Sequence, residues 1–189
     1  MKTPRIIAIL LAISCLVISS ARAQMIVNGS FETPDTLTFI TIDAGETTIS
    51  PWVVGLSSVD LGDVDNGFVD GPAFDGTQYI DLDGTPGPGQ LTQSFRTRVG
   101  GTYQLTLAYA NNYINQPSAS ATVRVFDAMG DLLNRTITHG TSVAGDLHWT
   151  VFRGQFMARK GTTTVEITSL SGTGDGGILL DAVSVRQRH

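Results

Sequence analysis

A two-residue rhythm of apolar and polar side chains, interrupted by glycine-rich turns, constrains this chain more than any other feature. Tyr103, Leu105, Leu107 and Tyr109 alternate with Gln104, Thr106 and Ala108. Ala121, Val123 and Val125 alternate with Thr122, Arg124 and Phe126, and Thr163, Val165 and Ile167 with Thr164, Glu166 and Thr168. Successive side chains of an extended strand point to opposite faces, so each run is a strand with one face on a core and the other on water. Further runs fit the same pattern: Met25–Val27, Leu37–Ile42, Trp52–Val54, Ser58–Leu61, Gln78–Leu82, Gln90–Arg96, Trp149–Met157 and Ile178–Val185. No long stretch keeps a helical period. Roughly ten strands, about 8–15 residues apart, predict an all-β antiparallel sandwich. The Pro/Gly segment Gly84–Gly89 is a turn between two strands, too short to divide domains.

The N-terminus reads differently. Lys2 and Arg5 precede an almost unbroken apolar run, Ile6–Ile18, and then Ala21-Arg22-Ala23. A basic start, a short apolar run and small residues at −3 and −1 form a secretory signal. The run is shorter than the roughly 20 residues a spanning helix needs. Cleavage is expected after Ala23, giving a leader over 1–23 and a single domain over 24–189, in a secreted, extracellular or periplasmic setting. A lipoprotein signal at Cys15 is the alternative, but Ala12-Ile13-Ser14 is a poor match before it. Cys15 is the only cysteine. With it removed, no disulfide is available, and the fold must rest on its core or on a metal.

Losing the leader also sharpens the charge. Lys2, Arg5 and Arg22 go with it and no acid does, which leaves nine Lys and Arg against 17 acids, a net of −8. Such a surface repels phosphate backbones and excludes nucleic acid as a natural partner. No later stretch is long and apolar enough to span a membrane as a helix.

Catalytic signatures are absent from the sequence: there is no G-x-S-x-G, H-E-x-x-H or P-loop. His139, His148 and His189 are scattered. The glycine-rich stretch 172–177 sits between strands, the wrong context for a phosphate cradle. Seven acids, Asp60, Asp63, Asp65, Asp70, Asp75, Asp81 and Asp83, crowd one short segment. They suit either calcium, which takes six to eight oxygens, or turns and caps in a solvated loop. The EF-hand spacing fails at Gly67 and again at Phe74.

Aromatic residues are the remaining candidates. Sugar rings stack on exposed aromatic faces while their hydroxyls seek polar rims. Tyr109, Asn111, Asn112 and Tyr113 end one strand with two rings and two amides close together, and Trp52 is a further ring. These five are the candidate ligand-binding residues, with packing as the competing role for each.

Several motifs, in order, carry a family resemblance. They are Asn28-Gly29-Ser30-Phe31-Glu32; Pro51-Trp52-Val53-Val54 with Ser58-Val59-Asp60-Leu61; Asp75-Gly76 with Tyr79–Gly84; Gly89–Phe95 with Gly100–Leu105; and Trp149, Phe156-Met157-Ala158 and Leu180–Val185. The chain resembles the domain-of-unknown-function family of plant cell-wall proteins and bacterial choice-of-anchor exported proteins. The resemblance implies a galactose-binding-like jelly roll, similar to carbohydrate-binding modules, and a polysaccharide as partner. It also implies a structural Ca2+ held by Glu32 and Asp181, tying the first and last strands. Ala182 stands where relatives carry a second acid. The expected function is a non-catalytic module that binds cell-wall or extracellular polysaccharide. The alternatives are a structural or adhesive protein acting through protein contacts, and a hydrolase on the same scaffold.

Overall fold

The computed structural model describes residues 24–114, 116–171 and 176–188. The expected leader and most of the glycine-rich stretch at 172–177 lie outside these residues. The strands are β1 (Ile40–Asp43), β2 (Val53–Leu56), β3 (Ser58–Asp63), β4 (Gln78–Asp81), β5 (Asp83–Gly84), β6 (Gly87–Arg96), β7 (Thr102–Asn111), β8 (Ala119–Asp127), β9 (Gly130–His139), β10 (Thr150–Met157), β11 (Thr162–Ser169) and β12 (Ile178–Arg188). The only helical element among the described residues is a single 3-10 turn at Val64–Asn66, whose start is capped by the Asp63 carboxylate.

Two antiparallel sheets face each other. One runs β1-β3-β4-β12-β7-β10, the other β2-β6-β11-β8-β9, with β5 beside β6. This is the antiparallel sandwich that the alternation predicts and the jelly roll that the family resemblance implies. The inner faces meet in one large core. Leu61, Ile80, Leu105, Leu107 and Leu180 come from the first sheet, and Leu91, Val123, Val125, Val165 and Ile167 from the second, all without solvent exposure. Burying this apolar area is the main favourable term of the fold.

The first sheet is buried on part of its outer face as well. Tyr79, Ala110 and Leu179 have the opposite parity to Ile80, Leu107 and Leu180, and they form a second cluster with Val69 and Leu147. The segment after β3 folds back as its roof, with the Tyr79 hydroxyl donating to Val69 O at 2.8 Å. This explains why β3 and β4 are buried on both faces.

The chain's beginning lies along its last strand. Met25 N–H donates to Val185 O at 3.2 Å, and Val183 N–H to Gly29 O at 2.8 Å. Met25–Val27, expected as a strand, thus bonds like one but is too irregular to form a regular ladder. A bulge between Asp181 and Ser184, with Ala182 at φ 49°, lets β12 turn from β4 toward this segment. Gly29 is required here, because a Cβ would lie 1.9 Å from Val183 O.

Candidate functional site

The half of the outer face that the roof leaves open is a polar groove of about 340 Å³. Strand register builds its floor. Thr106 on β7 pairs with Arg153 on β10 and Ser184 on β12; one step along, Gln104 pairs with Gln155 and Arg186. Both rows share one face because side chains alternate with period two. The Thr106 and Ser184 hydroxyls are 2.7 Å apart. Arg153 and Arg186 are exposed. The ion pairs among the described residues join Arg124 to Asp131 and Glu166, His148 to Asp146 and Arg159 to Asp127, so neither groove arginine has an acidic partner.

The groove's lip is the turn that carries Phe74 and Asp75. Two acids fix this turn through its backbone. Asp181, fully buried, accepts from Phe74 N–H at 2.9 Å and Asp75 N–H at 2.8 Å, and from Ala182 N–H. Glu32 accepts from Thr77 N–H at 3.0 Å and Gln78 N–H at 2.8 Å, and from the Thr77 hydroxyl. Burial pushes the Asp181 carboxyl up to about 7, while the amide donors pull it down. Phe74 stays 47% exposed. Its ring meets Trp149 edge-on at 6.3 Å, Trp149 meets Tyr79 at 5.7 Å, and the row continues through Phe68 to Phe39. The Trp149 indole N–H donates to Pro72 O at 2.9 Å, which holds that ring behind the lip.

The residues expected to touch a ligand lie elsewhere. Trp52 has no exposed surface: it packs on Phe31 in the main core and donates to Asn28 O at 2.9 Å. As folded, it is a core residue and cannot stack on a sugar. Asn111 is 1% exposed; its carbonyl accepts from Ser142 N–H and faces His139 Nδ1, and its amide donates to Gln116 O. Asn112 is also buried and donates to the Asp81 carboxylate at 2.9 Å. Both amides are committed inside the protein. Tyr109 packs against the main core and edge-on to His139, and Tyr113 against the second core. Of the cluster, the two amides form a buried polar brace, while Tyr109 and Tyr113 remain half-buried.

Glu32 and Asp181, far apart in sequence, do converge, as the family resemblance implies, but on one turn rather than on a cage. Every oxygen of the two carboxylates accepts an N–H or O–H. The turn offers them amide hydrogens where calcium would need carbonyl oxygens. No group of three His, Cys, Asp or Glu suited to a metal occurs among the described residues. The residues present do not fit a calcium site. The crowded aspartates have other employment: Asp63 caps the 3-10 turn, Asp60 accepts from the Thr41 hydroxyl, and Asp81 accepts from Asp83 N–H, Gly177 N–H and Asn112.

Ser142 Oγ lies 3.4 Å from His139 Nδ1, superficially a nucleophile and its base. Both are buried, however, and the hydroxyl donates to Leu147 O at 2.8 Å. The hydroxyl hydrogen is thus directed at Leu147 O rather than His139, and the oxygen also accepts from Asn111 N–H at 3.2 Å.

Sequence reasoning missed Arg153, Arg186, Thr106 and Phe74. Each is unremarkable in its own strand or turn: the pairing of β7 with β10 and β12 brings Thr106, Arg153 and Arg186 together, and the turn held by Asp181 and Glu32 adds Phe74.

Comparison with known proteins agrees with this architecture. TmCBM61, solved in complex with β-1,4-galactotriose, superposes with a TM-score of 0.60 at 18% identity, over 88% of this chain and 99% of that one. A carbohydrate-binding module of the CBM4 type gives 0.50 at 17%, over 86% and 99%. The arabinose-bound α-L-arabinofuranosidase MgGH51 gives 0.55 at 16%, over 88% of this chain but 26% of that enzyme. At such identities the likeness is one of fold. No curated protein matches the chain in sequence. The profile of the family described as "Protein of unknown function (DUF642)" matches residues 24–186, and the chain belongs to that family.

Proposed function

We propose that this protein is an exported, non-catalytic glycan-binding module that takes its ligand in the groove on the outer face of the six-stranded sheet. One observation carries the reading: the groove combines an exposed aromatic lip, a hydroxyl and amide floor, and charged groups with no partner of their own. Sugars need this combination, since their CH faces pack on rings while their hydroxyls exchange hydrogen bonds with polar groups. Sharing the fold of TmCBM61, a module solved with β-1,4-galactotriose, supports it. The leader-like N-terminus supports export. The lack of an accessible nucleophile–base pair in the described site supports binding without chemistry.

Affinity electrophoresis through gels carrying single polysaccharides tests the proposal. The protein is retarded by at least one polymer, and Phe74→Ala reduces the retardation severalfold. The melting temperature stays unchanged, because the Phe74 ring is half exposed and Asp181 holds the turn by its backbone. Unretarded migration through every gel by a folded sample defeats the proposal.

A further inference from the structure

The groove's charge pattern says which glycans it suits. The chain is strongly acidic, yet this face carries Arg153 and Arg186, with Arg188 just beyond. Arg188 donates to Gln104 Oε1 at 2.6 Å, and this fixes the end of the row. Among the described residues Arg153 and Arg186 have no acidic partner, a state they share with the exposed Arg96, Arg98, Arg135 and Arg188, whereas Arg124 and Arg159 are engaged by Asp131, Glu166 and Asp127. What sets Arg153 and Arg186 apart is that both line the groove. Register puts the two free guanidiniums on strands that flank β7, one row apart. Two strand spacings and one two-residue step place their Cα atoms roughly 12 Å apart. A guanidinium binds a two-oxygen anion through parallel N–H donors and keeps its charge at any physiological pH.

The opposite lip differs. Asp75 is exposed there and pairs with neither arginine. A carboxylate accepts from sugar hydroxyls but repels an anion. The groove therefore offers acceptors at the lip, hydroxyls on the floor and fixed cations on the far side. A polymer of neutral sugars uses the first two and leaves the arginines idle. A polymer whose units carry both hydroxyls and an anionic group uses all three.

We infer that the groove binds an anionic polysaccharide, with Arg153 and Arg186 receiving the carboxylate or sulfate groups of its sugar units. This inference rests on the glycan-binding reading of the same site and narrows it. The protein's net negative charge makes the inference demanding, because it disfavours general ion exchange with a polyanion.

The test compares charged polymers with their neutral twins: polygalacturonate with its fully methyl-esterified form, a sulfated galactan with its desulfated form, and uncharged β-1,4-galactan. The expected result is retention on one charged polymer, about tenfold weaker on its neutral twin and in Arg153→Gln or Arg186→Gln, and unchanged in Arg135→Gln on the other sheet. The pair that responds identifies carboxylate or sulfate as the group read. Raising the salt concentration weakens the retention. Equal binding to both twins, or binding to neutral galactan alone, overturns the anionic inference and leaves the glycan module standing. Retention on polyanions that survives both arginine substitutions overturns the assignment to this groove. Retention on no polymer at all overturns the glycan reading itself.

Discussion

Gln78 and Trp52 show how single side chains set the frame for the groove. Gln78 is fully buried, and its amide donates to Phe31 O and Pro34 O while its carbonyl accepts from Thr36 N–H and the Thr36 hydroxyl. A buried amide so completely satisfied pins the Phe31–Thr36 segment against β4. Trp52 does the same for the N-terminal turn through its bond to Asn28 O. Trp52→Ala is expected to cost about 3–5 kcal/mol of stability, and Trp52→Phe less, since the ring volume is partly kept and one hydrogen bond is lost. Chemical denaturation measures the cost. Polysaccharide retention by the folded Phe variant stays at the native level; a selective loss of retention at native stability would show that Trp52 touches ligand after all. At this scale the sequence was informative about chemistry and poor about address. Trp52 beside Pro51 reads equally as core or platform, because one ring has no alternation to betray its facing. Arg153 and Arg186 read as ordinary solvated charges for the same reason.

Among the elements, the turn at Phe74–Gln78 joins fold to function. Glu32 arrives from the first described segment and Asp181 from the last strand, and together they hold four of its N–H groups. Gly76 makes this possible. Its φ is +74°, and a Cβ would sit 2.4 Å from the Glu32 carboxyl. Gly76→Ala therefore strains the backbone and displaces an anchor, for an expected loss of about 1–3 kcal/mol and weaker retention on the ligand polymer. Native stability and retention in that variant would show the anchor to be dispensable. Because all the oxygens of Glu32 and Asp181 already accept hydrogen bonds, added calcium or EDTA is expected to leave the melting temperature unchanged. A calcium-induced rise of several degrees would mean that the turn rearranges to present carbonyls. Strand alternation made most elements legible, and their ends fell within a few residues of expectation. The strand β9 was not legible. Its bulge opposite Val125 and Phe126 breaks the register, and Leu132 and Leu133 are adjacent apolar residues with no period to read. The turn's role was half legible: the resemblance pointed to Glu32 and Asp181, but whether a carboxylate meets a metal or an amide depends on backbone orientation, which side-chain pattern does not encode.

The molecule as a whole buries six aspartates among its described residues, and two of them, Asp81 and Asp181, give its stability an unusual dependence on pH. Asp81 and Asp181 are both pushed up to about 7 by burial, against an ordinary value of 3.8. The Asp60 carboxylate also raises Asp81, and Asp75 also raises Asp181. Between these limits the folded state holds protons that the unfolded chain has released. Unfolding then releases protons, so stability falls as pH rises. The contribution is fully present below about pH 4, declines toward pH 7 and is lost above it. Asp127 and Asp131 act in the opposite sense: their pairing with Arg159 and Arg124 holds them below the ordinary range, and that support fades in acid. The protein is therefore expected to be most stable in mildly acidic solution and to lose on the order of a few kcal/mol between pH 5 and pH 8. Urea midpoints across that range measure the trend, which is flattened in Asp181→Asn and in Asp81→Asn. A midpoint that rises steadily from pH 5 to pH 8 would mean that the amide donors around the two carboxyls outweigh their burial. The same titration reaches the groove, because ionising Asp181 puts a negative charge beneath the lip that carries Asp75. Retention on a polyanion should accordingly strengthen as pH drops from 8 to 5 under constant salt. Arg153 and Arg186 stay charged throughout that range and a sulfated polymer keeps its own charge, so a change in retention reports on the carboxyls or on the histidines; a change that disappears in Asp181→Asn belongs to the carboxyl.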